Sequence, residues 1–166
     1  MSTFHRYRKA IKDALRAQAP LQALGFAPNG ENIIIRRKAD MWSMFEEAVQ
    51  AATHPFVIMI GVASGKRRDP DGALRFDVTL QIDYVVPNDA NPDPEIEEEP
   101  WEEMVKFLDR WKPPGIVQPS RCYDELVCGD FRDFEWKPDP ESGDYSGGAT
   151  YGAMVRQTDF STIIQL

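Results

Sequence analysis

From Thr3 to about Gln18, apolar residues recur at Phe4, Tyr7, Ile11, Ala14 and Leu15, the spacing of one helix face. Arg6, Arg8, Lys9, Lys12 and Arg16 fall outside that stripe. Ala19, Pro20 and then Gly25 predict where the helix stops, because proline lacks the amide a continuing helix needs. A short strand is expected over Asn32–Arg36. Asp40 is suited to cap a second helix whose Met41, Met44, Phe45, Ala48, Val49 and Ala52 again repeat at the helical period.

The pattern then changes to that of a sheet. Phe56–Ala63 is an almost unbroken apolar run, and from Leu74 onward Leu74, Phe76, Val78, Leu80, Ile82 and Tyr84 alternate with polar residues, which predicts a half-buried antiparallel strand. Between them Asp69-Pro70-Asp71-Gly72 supplies turn chemistry, so Phe56–Val86 reads as a long hairpin with a basic tip, Lys66, Arg67 and Arg68. Residues 87–100 form an acidic, proline-rich loop that feeds a helix over Trp101–Trp111, stopped at Lys112-Pro113-Pro114-Gly115. Glu125–Val127, Phe131–Lys137 and Thr150–Leu166 read as strands, with a mobile loop at 138–148. The last strand changes phase between Val155 and Phe160, and a bulge near Arg156–Asp159 is the expected cause. The sum is a single α+β domain over residues 1–166: an antiparallel or mixed sheet built around the hairpin and packed against two or three helices.

Composition narrows the function classes. The 166 residues are 42% hydrophobic, enough for a real core, and the longest apolar run, Phe56–Ala63, is far below the roughly 20 residues of a membrane span. A net charge of −8 argues against wrapping nucleic acid, which needs a basic surface that releases counterions. Cys122 and Cys128 are read as two free thiols, and the basic N-terminus lacks the apolar stretch of a secretory leader, so a cytoplasmic product is expected.

Catalytic and metal-binding patterns are sparse. His5 and His54 are the only imidazoles, neither at metal-ligand spacing, and the cysteines are six positions apart rather than in a Cys-x-x-Cys pair. Neither a Gly-x-Ser-x-Gly elbow nor a Gly-x-x-x-x-Gly-Lys phosphate loop occurs. Asp130 followed by Glu135-Trp136-Lys137 on a strand resembles the Asp and Glu-x-Lys elements of metal-dependent nucleases, which is the enzymatic alternative. Glu97, Glu98, Glu99, Glu102 and Glu103 gather at a helix N-terminus, where carboxylates are favoured. Consecutive glutamates fan around a helix and do not converge on a metal.

The order of elements, a basic opening helix with Ile11-x-x-Ala14-Leu15, the Phe56–Val86 hairpin, an Asp/Pro-rich loop into Trp101–Trp111 and closing strands, is similar to that of bacteriophage tail terminator proteins. The helix at 40–52 and the long acidic loop depart from the compact family pattern. The resemblance implies a non-enzymatic virion protein of the tail or neck, assembled in the host cytoplasm without cofactor or metal. Its copies would form a ring, expected as a hexamer, that caps the tail tube protein and meets a head-completion or connector protein, with DNA passing through the pore unbound. Candidate interface residues are Lys66, Arg67 and Arg68 against Glu97, Glu98 and Glu99, with Leu74–Val86 expected as an edge strand that pairs across subunits. A third class is a monomeric interaction module presenting Met and Trp faces, including Trp42 and Trp111.

Overall fold

The computed structural model describes residues 2–36, 54–88, 92–113, 125–137 and 152–166. The expected helix at 40–52, Trp42, Cys122 and the loop at 138–148 lie outside these residues.

Helix α1 (Thr3–Arg16) starts where the Ser2 hydroxyl accepts the His5 amide. It buries Tyr7, Ile11 and Leu15 completely, as the stripe requires. Pro20 does not simply end it: α1 stops at Arg16, and the proline sits in the first turn of a second short helix, α2 (Ala19–Ala23). There its missing amide costs nothing, because the first-turn amides of a helix have no intrahelical partner. Strands β1 (Ile33–Ile35), β2 (Val57–Arg67) and β3 (Arg75–Pro87) follow, then α3 (Glu98–Leu108), β4 (Val127–Trp136) and β5 (Ala153–Gln165). The order across the sheet is β1-β2-β3-β5-β4, with β1 and β2 parallel and all other neighbours antiparallel. This is an α+β fold with a mixed sheet. Among the described residues no helix is long and apolar enough to cross a membrane.

Three expectations are corrected by the pairing. First, β3 is central, hydrogen-bonded to β2 on one side and β5 on the other, so Leu74–Val86 is not an edge strand. Second, β5 pairs with β3 in unbroken register from Ala153 to Gln165; the bulge lies instead in β4, where Gly129 and Asp130 oppose Asp159 alone. That bulge joins the two short strands expected at 125–127 and 131–137 into one. Third, α3 begins at Glu98 and ends at Leu108, so it takes in Glu98, Glu99 and Pro100 and leaves Trp111 beyond its end.

The phase change in β5 has a simpler cause than a bulge: the strand is buried on both faces. Phe160 and Ile164 join the main core with Tyr7, Ile11, Leu15, Ile58, Ile60, Leu80, Ile82, Met104 and Leu108 under the helices. Ala153 and Val155 point the other way, into a second cluster with Val57, Met59, Val85 and Trp136. A period-two strand whose two ends serve opposite faces shows a phase shift without any irregularity of backbone.

A buried asparagine ties the elements together at the sheet edge. Asn32 is fully buried; its Oδ1 accepts the Ala27 amide at 2.9 Å, and its Nδ2 donates to the carbonyls of Gly25 (2.9 Å) and Phe56 (3.2 Å). Its own carbonyl accepts the Ile58 amide at 2.8 Å, the contact that opens the β1–β2 pairing. Substituting it strands several buried polar groups at once. Asn32→Leu is therefore expected to lower stability by about 2–3 kcal/mol in urea denaturation, against well under 1 kcal/mol for Asn29→Ala in the exposed turn nearby.

Candidate functional site

The basic tip and the acidic helix start, the two expected interface patches, both form but stand well apart. The tip is a built turn. The Arg68 amide donates to Arg75 O, Arg67 Nε donates to Asp69 O at 3.1 Å, and the Asp71 amide donates to Asp69 Oδ1. Gly72 admits the Asp69 carboxylate where any Cβ would collide with it. Arg68 lies 3.2 Å from Asp77, with both side chains about half exposed, so this pair adds little stability. Lys66 is exposed and forms no ion pair with a described residue. An open hollow of about 350 Å³ beside the tip is lined by Arg68, Asp69, Ala73 and Arg75.

Glu97 is the N-cap residue of α3, and its carbonyl accepts the Tyr84 hydroxyl at 2.8 Å. That bond fixes the helix start at the level of Tyr84, eight residues along β3 from Phe76 at the tip, a separation of roughly 27 Å. Lys66, Arg67 and Arg68 of one chain therefore do not meet Glu97, Glu98 and Glu99 of the same chain.

Around the start of α3 lies a cluster that sequence reasoning missed. Arg156 of β5 is 6% exposed, and its Nε and Nη2 each donate to Asp133 of β4 at 2.7 Å, with Nη2 also 3.1 Å from Glu98 Oε1. The guanidinium lies against two rings, 4.5 Å from the Trp101 centroid and 4.7 Å from that of Phe131. Trp101 Nε1 donates to Thr158 Oγ1 at 2.9 Å. The two hydrogen bonds to Asp133 hold the Arg156 pKa above its ordinary value despite burial. Glu98 is thus committed to a partner in its own chain, while Glu97 and Glu99 are exposed and unpaired among the described residues. A signal existed: Arg156 stands in phase with Phe160 and Ile164, on a strand face whose other positions are the uncharged Thr158 and Thr162, a place where arginine survives only with partners.

The opposite face of the sheet carries a polar row. Asp83 is 1% exposed and accepts Gln157 Nε2 at 2.9 Å; Gln157 in turn accepts an Arg132 guanidinium N–H, and Arg36 Nη1 lies 3.9 Å from Asp83. Gly61 leaves room for Arg36 to cross β2, since a Cβ there would meet the guanidinium at 2.6 Å. Burial pushes the Asp83 carboxyl above its ordinary value, opposed by the Gln157 hydrogen bond and by Arg36.

The nuclease candidates do not converge. Asp130 sits in the β4 bulge and Glu135 lies five residues further along the same strand, where Lys137 is 3.6 Å from it on the exposed edge. No group of three His, Cys, Asp or Glu side chains among the described residues is placed to hold a metal. His54 is paired with Glu31 at 3.2 Å, and Cys128 is a free thiol whose pKa is raised by burial and then by Asp109, which leaves it a poor nucleophile. A second open hollow, about 270 Å³, is bounded by Asp77, Glu125, Val127, Ser161, Thr162 and Ile163, where β4 starts short of the end of β5.

Charge is divided across the sheet. Residues 2–36, which supply α1 on the β1–β2 side, contain six Arg and Lys against Asp13 and Glu31, and β2 adds Lys66 and Arg67. Residues 92–113, which supply α3 on the β4 side, contain eight acids against three bases, and β4 adds Asp130, Asp133 and Glu135 against Arg132. One flank of the molecule is basic and the other acidic. The chain matches no protein-family model, and comparison with curated proteins finds no match.

Arg156→Lys keeps the charge but loses the forked contact to Asp133 and the stacking on two rings; it is expected to cost about 2 kcal/mol in urea denaturation. Asp83 supplies a pH test. Because its folded pKa is raised above the ordinary 3.8, its contribution to stability is fully present below that value and is lost as pH rises through the folded pKa. Asp83→Asn should therefore unfold at higher urea than wild type at pH 7, with the gap closing as pH falls towards 4.

Proposed function

We propose that the chain is a non-enzymatic bacteriophage assembly protein of the tail-terminator kind, whose copies join head to tail into a ring that caps the tail tube and meets the head. The observation that carries this reading is the division of charge: a basic flank formed by α1 and the hairpin tip, and an acidic flank formed by α3 and β4. Two such flanks on opposite sides of one subunit favour contact between unlike surfaces of successive copies. Contacts of that type close into a ring when the rotation between copies allows it.

The separation of the tip from the start of α3 within one chain supports the same reading, because it leaves Lys66 at the tip and Glu97 and Glu99 at the helix start without a partner among the described residues. Exposed ion pairs are individually worth about 0–1 kcal/mol, so in such a ring they set partner orientation and encounter rate more than affinity. The overall acidity would let DNA pass a central pore without adhering.

Solution mass by light scattering over a concentration series at two salt concentrations tests the proposal. Low salt should give a multiple of the chain mass that falls as salt rises, and electron microscopy of that sample should show closed rings with a central opening. A single-chain mass under every condition, including in the presence of purified tail tubes, would overturn it.

A further inference from the structure

Among the described residues, the two outer sides of the sheet carry short open stretches that match each other. On β2, pairing with β1 covers Ile58–Ile60, where Arg36 donates its amide to Ile60 O, and Ser64–Arg67 beyond has no strand beside it among the described residues. On β4, residues 109–111 cover the first part of the edge: Arg110 donates to Leu126 O, Leu126 to Trp111 O, and the Cys128 amide to Asp109 Oδ1. The stretch that begins at Asp130 lies past that cover and is exposed through Asp133. Each edge thus offers about four residues of extended backbone. Unpaired strand edges of this kind are templates for another strand.

We infer that Ser64–Lys66 of one copy adds to Asp130–Arg132 of the next, making the sheet continuous between subunits; this rests on the head-to-tail reading above. Strand direction agrees. Within a copy β2 and β4 run antiparallel, because three antiparallel pairings separate them, so a second copy in the same orientation presents its β2 antiparallel to this β4.

Side-chain faces select the register. Residues opposite each other across a strand pair share a face. Phe131 lies on the helix-bearing face, with Trp101 against it, and Gly65, opposite Val78, lies on that same face. Pairing Gly65 with Phe131 brings Lys66 opposite Asp130 on the other face. The match places an aromatic ring that is 51% exposed over an edge glycine, a combination that stabilises edges, and an unpaired lysine beside an acid. The alternative two residues along, Arg67 with Phe131, would set Lys66 against Arg132 and is disfavoured by like charge.

The stagger this register demands is compatible with closure. Through the β3 and β5 pairings, Gly65 stands level with Thr162 and Phe131 level with Thr158, an offset of four residues across the four strands β2, β3, β5 and β4. Four residues are about 13 Å along the strand and four strands about 19 Å across, which inclines the strands by about 35° to the axis of a closed array. Closed sheets adopt that tilt.

The test uses the full chain with Lys66→Glu and Asp130→Lys made separately. Each variant has two edges of like charge and should raise the concentration for half-association by about tenfold. An equal mixture of the two should restore association to the wild-type range, since every contact is then between unlike charges; restoration also shows that both variants are folded. In a second readout, Lys66→Cys with Asp130→Cys, in a chain whose Cys122 and Cys128 are serine, should give disulfide-linked multimers, and Lys66→Cys with Glu135→Cys should not. If wild type associates and both charge variants associate equally well, or the mixture stays dissociated, the edge pairing is wrong while the ring reading stands. If wild type does not associate at all, with or without purified tail tubes, both fall.

Discussion

The structure depends on the antiparallel pairing of β3 with β5, an unbroken register from Arg75 opposite Gln165 to Pro87 opposite Ala153. Each strand is 13 residues long, and between them they seat the other strands: β2 on the outer side of β3 and β4 on the outer side of β5. Every residue of this pair is thereby assigned to one face or the other. Leu80, Ile82, Phe160 and Ile164 go beneath the helices, and Val85, Ala153 and Val155 go to the second cluster. The strands are far apart in sequence, so the chain closes a long loop before any of these contacts forms, and only the burial of two apolar faces offsets that entropy.

Burial on both faces creates the structure's main electrostatic problem, which is polar side chains in the middle of central strands. It is solved differently on the two sides. Under the helices Arg156 keeps its charge because Asp133 and Glu98 neutralise it and two aromatic rings shield it, and the same residues fasten the start of α3 to the sheet. On the other face Asp83 has a neutral hydrogen-bond partner, Gln157, and a more distant cation, Arg36, so its burial is less fully compensated and its carboxyl titrates high. A charge with short, forked bonds is retained; one without them moves towards neutrality.

The same architecture organises the surface. Because β3 and β5 lie inside the sheet, the margins among the described residues are β4 on one side and, on the other, the short β1 with the end of β2 that runs beyond it, and the helices beside them carry opposite charge. Residues that serve the fold and residues available to a partner can be separated on this basis. Glu98 and Asp133 are occupied by Arg156, whereas Lys66, Asp130, Glu97 and Glu99 are exposed without a partner among the described residues. The outward position of Phe131, packed on Trp101 and Arg156 yet about half exposed, belongs to both categories.

The α+β class, the helix stripe of Tyr7, Ile11 and Leu15, and the Val57–Pro87 hairpin with its basic tip were legible in the sequence, because they follow from local periodicity and turn chemistry, which neighbouring residues encode. The acidic helix start was legible for the same reason. The order of strands was not, since pairing partners are chosen by the burial of distant residues; hence Leu74–Val86 looked like an edge and proved central. The phase change in β5 looked like a bulge because one strand's pattern cannot reveal that its two ends are buried on different faces. The charges of Arg156, Asp133 and Glu98 were visible as residues, but their convergence required three elements to be brought together. Local chemistry is written along the chain, and which surfaces close on each other is decided only when the sheet assembles.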